Sequence, residues 1–95
     1  MSIYCYMLSK VIFYNYINKA FLKEELNLLQ ESDNTEYLLI ERLNGGEGGL
    51  TDYKVILLSG DYDSSLLIFM DHRSGEEFSL NINDYGCSWI LLPID

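Results

Sequence analysis

His72 is the chain's only histidine, so any Ser-His, Cys-His or metal-His chemistry must pass through it. Asp71 and Ser74 stand beside it, and the three residue types together suggest an orienting acid, a base and a nucleophile. The spacing works against that reading, because adjacent strand residues point to opposite faces and Ser74 falls in a turn. Glu76-Glu77 is a carboxylate pair of the kind used in glycoside hydrolysis, yet a 95-residue chain with short strands offers little cleft for a sugar. Asp61-Tyr62-Asp63 begins like a calcium loop. It then lacks the further oxygen ligand, the central glycine and the closing glutamate, whose place His72 takes. Asn44-Gly45-Gly46-Glu47-Gly48-Gly49 is flexible enough to cradle a phosphate, but no Gly-Lys-Ser/Thr follows, and Glu47 and Asp52 would repel the anion. Cys5 and Cys87 form no Cys-x-x-Cys pair, which excludes a zinc knuckle or a dithiol motif. Both are expected as thiols packed like small apolar residues. These residues point away from an enzyme, a metal centre and a cofactor.

The elements that would position them follow from periodicity. From Asn18, apolar Phe21, Leu22, Leu26, Leu28 and Leu29 recur at helical spacing among strong helix formers, predicting a helix to about Glu31. Residues 2–16 carry β-branched and aromatic side chains that suit a strand, while Leu8, Val11, Ile12 and Tyr16 fit a helical stripe; helix is the preferred reading. Ser32-Asp33-Asn34 closes this part. Beyond it, five apolar runs alternate with turn signals: 37–43, 53–59, 65–70, 77–82 and 88–92. Connections this short cannot make parallel crossovers, so the prediction is an α+β domain. Residues 1–35, mainly helical, pack on a five-stranded antiparallel meander over 36–95, all within one domain of 95 residues. Leu38-Leu39-Ile40, Val55-Ile56-Leu57-Leu58 and Leu66-Leu67-Ile68-Phe69-Met70 are apolar on both faces, so the central strands need two covers. The aromatic N-terminal segment is one candidate for the second cover; another protomer, in a homodimer, is the other.

Charge narrows the function. All fifteen acids lie in residues 24–95 with three of the six bases, so that part carries 3 − 15 = −12 and residues 1–23 carry +3. Six scattered bases cannot neutralise a phosphate array, which excludes direct nucleic-acid binding. Anionic lipid would repel the acidic part, so no membrane contact is expected. Lys10, Asn15, Asn18 and Lys19 interrupt the apolar start of the chain, which fits neither a signal peptide nor a span, and a cytoplasmic location is expected. In a meander, turns alternate between the ends of the sheet. One end then collects Glu31, Asp33, Glu36, Asp61, Asp63 and Asp84 with no base among them, and Tyr62 and Tyr85 stand beside these acids as interface anchors. The other end mixes Glu41, Glu47, Asp52, Asp71, Glu76, Glu77 and Asp95 with Arg42, Lys54 and Arg73.

In size, acidity and lack of a catalytic motif, the chain resembles the small acidic inhibitors of phage type, among them anti-CRISPR proteins and other DNA mimics. The resemblance implies a protein that docks a basic surface of a partner, itself a nucleic-acid-binding protein. An immunity protein against a nuclease toxin, or a structural subunit of an oligomer, are the alternatives from the same features. Reversing Asp61, Asp63 and Asp84 to Lys is expected to abolish partner binding without unfolding the chain. Salt-dependent affinity and circular dichroism on the same variant check it.

Overall fold

The computed structural model describes residues 12–28, 34–43, 49–61 and 64–94. Residues 12–17 form α1 and Lys23–Leu28 form α2. Five strands follow: β1 (Glu36–Arg42), β2 (Leu50–Asp61), β3 (Leu66–Asp71), β4 (Glu77–Asn81) and β5 (Trp89–Pro93). A 3-10 turn, Ile82–Asp84, lies between β4 and β5. The strands make a single antiparallel sheet in the order β4-β3-β2-β1-β5. The five-stranded antiparallel sheet with short helices is therefore as expected, with two corrections to the detail.

The meander holds only for β1 to β4, because β5 pairs with β1 and not with β4. The reason lies in its side chains. Trp89, Ile90, Leu91 and Leu92 are all buried, so β5 needs cover on both faces. Beside β1 it finds both, with Trp89 and Leu91 in the inner core and Ile90 and Leu92 in an outer cluster with Phe13 of α1 and Ile40 of β1. A place beside β4 would set it next to the exposed Glu77 and Ser79.

The second correction concerns the helix expected from Asn18 to Glu31. It begins only at Lys23, and the helix before it has ended by residue 17. Phe13, Tyr16, Ile17 and Ala20 pack on the outer face, whereas Phe21 and Leu26 pack on the inner core. No continuous helix can cover both sides of a sheet, so the chain must bend around the edge of β5. There Phe21 N–H donates to the Leu91 carbonyl at 3.1 Å. The N-terminal segment thus supplies the second cover over β1 and β5. Residues 2–11 and 29–33 lie outside the described residues, as does the glycine-rich stretch 44–48.

The sheet is curled. Laid flat, β4 and β5 would stand four strand spacings apart, about 19 Å. Yet Trp89 Nε1 on β5 donates to the Asn81 carbonyl on β4 at 3.0 Å, and its ring packs on Phe69 of β3 with centroids 5.9 Å apart. Such closure needs strong twist, and β2 supplies it. The β2 to β3 register slips between Leu57 and Ser59, leaving Leu58 as an extra residue, and a bulge of this kind bends a strand. Burial nonetheless alternates along Val55-Ile56-Leu57-Leu58, with Val55 and Leu57 buried and Ile56 and Leu58 half-buried.

Inside the curl, Leu39, Val55, Leu57, Leu67, Phe69 and Leu91 are essentially fully buried. Leu39→Ala is expected to cost about 2–5 kcal/mol, a large share of the roughly 5–15 kcal/mol that holds a domain of this size. Leu22→Ala, at a position 63% exposed, should stay within about 0.5 kcal/mol. Urea unfolding of the two variants checks the contrast.

Candidate functional site

β2 is twelve residues long, and its two halves serve different neighbours. Residues 50–56 pair with β1, while pairing with β3 begins at Val55 opposite Asp71. One further bond, from His72 N–H to the Lys54 carbonyl, extends that ladder. Among the described residues, Thr51, Asp52 and Tyr53 then have β1 on one side and no strand on the other. The β3–β4 turn stands off across the gap. The result is a groove of about 820 Å³ lined by residues 51–54 of β2 and by Asp71, His72, Arg73, Glu76, Glu77 and Phe78. Its size is that of a small-molecule or side-chain pocket.

The far wall is a rigid turn. Asp71 Oδ1 accepts from Arg73 N–H at 2.8 Å and Ser74 N–H at 3.4 Å, and Gly75 N–H donates to the Asp71 carbonyl. Gly75 closes the turn at φ +76°, a conformation that suits glycine. Ser74 Oγ accepts from Glu76 N–H. The floor is aromatic, with Tyr53 and Phe78 centroids 6.0 Å apart and their planes inclined by 48°. Behind them the rings continue through Phe69 and Trp89 to Tyr85, each within 6 Å of the next. The floor is therefore the exposed end of the core's aromatic stack.

Four lining residues are acids, Asp52, Asp71, Glu76 and Glu77, against two strong bases, Lys54 and Arg73. A further carboxylate, that of Glu41, accepts a hydrogen bond from the Tyr53 hydroxyl. Burial first, then this bond and the charges of Glu41 and Asp71, push the Tyr53 phenol well above its ordinary range. It remains a neutral donor at physiological pH, fixed in place by the carboxylate. The groove thus offers an apolar floor under a net negative rim.

Of the residues expected to form one acidic end, Glu36 stands apart from Asp61 and Asp84. Glu36 stands opposite Ile56, five residues along β2 from Asp61, which is about 17 Å of strand. Its Oε1 lies 3.1 Å from His72 Nδ1, so the carboxylate already has a partner within the fold. The stagger of β2 causes this, because it sets the start of β1 level with the end of β3. Asp61 and Asp84 do share an end, since Asp61 pairs with Leu66 and Leu66 with Asn81, three residues before the exposed Asp84. Glu31, Asp33, Tyr62 and Asp63 lie outside the described residues.

Tyr85 has a role within the fold. Its hydroxyl donates to the Phe21 carbonyl at 2.7 Å and accepts from Leu91 N–H at 3.3 Å, and its ring packs edge-on against Trp89. It fastens the bend between α1 and α2 to β5. Cys87 is also corrected, being an exposed free thiol in the turn before β5 instead of a packed one. The Asp71, His72 and Ser74 groups are separated as expected, since Asp71 and Ser74 build the turn and His72 turns to Glu36.

The mixed end, which charge counting set aside, is where the groove lies. The signal that could have found it is Thr51-Asp52-Tyr53-Lys54-Val55, whose alternation extends β2 toward Leu50 past any possible β3 partner. No protein-family model matches the chain, and no curated protein or solved structure does so either. No helix among the described residues is long and apolar enough to cross a membrane.

The Tyr85 phenol is pushed up to about 12, chiefly by burial, with the charge of Glu25 adding and the Leu91 backbone bond opposing. In the unfolded chain a tyrosine titrates near 10. The unfolded state therefore loses this proton first, so the contribution is whole below about pH 10 and is lost as pH rises toward about 12. Tyr53 acts in the same direction. Tyr85→Phe is expected to lower stability at neutral pH by about 1–2 kcal/mol and to flatten the alkaline decline. Urea titrations across that pH range measure both.

Proposed function

We propose that the protein acts by binding, docking a basic surface of a partner protein. The observation that carries this reading is the groove, lined by Asp52, Asp71, Glu76 and Glu77, with Asp71 and Glu76 on the face of its aromatic floor and Asp52 and Glu77 on the other face of their strands. The overall charge of −9 favours it as well, since a strongly acidic protein is steered toward basic surfaces and away from nucleic acid and anionic lipid. The most basic surfaces on proteins are those that hold nucleic acid. An acidic domain that occupies one excludes the nucleic acid, which makes this protein an inhibitor in the manner of a DNA mimic, acting in the cytoplasm. The groove is the docking element of that inhibitor; Asp61 and Asp84, at the far end of β2, are peripheral to it, and this reading replaces the expectation from charge alone that their reversal abolishes binding.

Two charge-reversal variants test the reading. One carries Asp52→Lys, Glu76→Lys and Glu77→Lys in the groove; the other carries Asp61→Lys and Asp84→Lys. Partners captured at low salt are assayed for affinity with each variant and for competition by duplex DNA. Groove reversal is expected to weaken binding at least tenfold, and the far-end pair to change it much less, with DNA competing and salt weakening the complex. Affinity indifferent to salt and to groove reversal would falsify the proposal.

A further inference from the structure

We propose that the groove is a seat for an arginine side chain of the partner, its guanidinium laid against the rings of Tyr53 and Phe78 and held by the carboxylates above them. This rests on the docking function just proposed and names the chemical group that the groove takes.

Three features of the groove favour arginine. The floor is two aromatic rings in contact, 6.0 Å apart and tilted by 48°, so together they offer ring surface against which a flat group can lie. A cation within about 6 Å of a ring centroid is attracted to the ring face, and both Tyr53 and Phe78 line the groove. The rim supplies carboxylates on the face of the rings from the turn, those of Asp71, which pairs with the inner-core Val55, and of Glu76, whose carbonyl accepts from Asp71 N–H. A planar guanidinium presents donors along its edges while its face stays apolar, so it meets rings and carboxylates at once. A lysine ammonium is compact and strongly hydrated, and would lose more water than these rings repay. The Tyr53 hydroxyl is already committed to Glu41, so the floor offers the guest its ring without a competing polar group.

The open side of β2 adds a place for the partner's backbone. Among the described residues no strand pairs with residues 51–53 on the side away from β1, which leaves room for an extended segment to run alongside them. An arginine on such a segment would project over the floor. Lys54 and Arg73 also line the groove and are the native cations nearest the seat. Both are exposed, and the guest displaces them without uncovering a core.

The full-length chain is titrated with two capped tripeptides, glycine-arginine-glycine and glycine-lysine-glycine, and followed by NMR at low ionic strength. The arginine peptide is expected to shift the Tyr53 and Phe78 ring signals, and its own side-chain methylene signals should move upfield over the ring faces. Phe78→Leu should weaken it on the order of five- to thirtyfold, the size of one cation–π contact. Glu24→Gln, away from the groove, should leave it unchanged. The upfield shift is read on the native chain, so it decides the matter even where Phe78→Leu fails to fold. Equal binding of the two peptides with no upfield shift overturns the arginine seat and leaves charge-driven docking standing. Binding of neither peptide overturns the seat and removes the groove as the docking element.

Discussion

The stagger of β2 is the constraint on which the other features of this fold depend. Its first half pairs with β1 and its second with β3, with overlap only around Val55 and Ile56. A sheet built this way cannot be flat, because the two pairings pull the strand toward different neighbours and the bulge after Leu57 turns it further. Curling brings β4 and β5 close enough for Trp89 to reach Asn81. The same offset leaves residues 51–53 without a second neighbour and opens the groove. Core closure and cleft are two results of one register.

The aromatic residues connect these results. Trp89 fills the middle of the curl and touches Phe69 and Tyr85; Phe69 stacks on Phe78, and Phe78 meets Tyr53 in the groove floor. Each pair adds roughly 0.5–1.5 kcal/mol beyond its buried area and leaves little freedom to the next ring. At the other end, the Tyr85 hydroxyl ties Phe21 and Leu91 together, fixing the bend by which the N-terminal segment passes from one face of the sheet to the other. The groove floor is therefore rigid because it belongs to the core, and an organised floor costs less entropy when a guest arrives.

Much of this was legible in the residues, and the part that was not depends on contacts distant in sequence. The apolar runs of β1, β3 and β4 could be read to within one or two residues, because local alternation and turn residues bound them. β2 reads too short, since its first residues include polar Thr51 and Asp52, whose strand conformation is held by β1. The position of β5 depends on finding cover for both faces of Trp89-Ile90-Leu91-Leu92, a demand that the sequence displays but whose solution lies in β1 and α1. The break after residue 17 has the same origin, because helix propensity continues through a stretch that must cross a sheet edge. Grouping the acids by sheet end failed for Glu36 because strand ends were treated as level, and the stagger makes them unequal.

Cross-strand proton contacts test the staggered register most directly. In the NMR spectrum, Val55 should lie opposite Asp71 and Leu57 opposite Phe69, Thr51 and Tyr53 should contact Glu41 and Leu39 alone among strand neighbours, and the Trp89 indole N–H should be protected from exchange. Contacts joining Thr51 or Tyr53 to a continued β3 ladder, with an exchanging Trp89 indole, would mean a flat and closed β2 to β3 pairing. That result would contradict the account, because neither the curl nor the groove would exist.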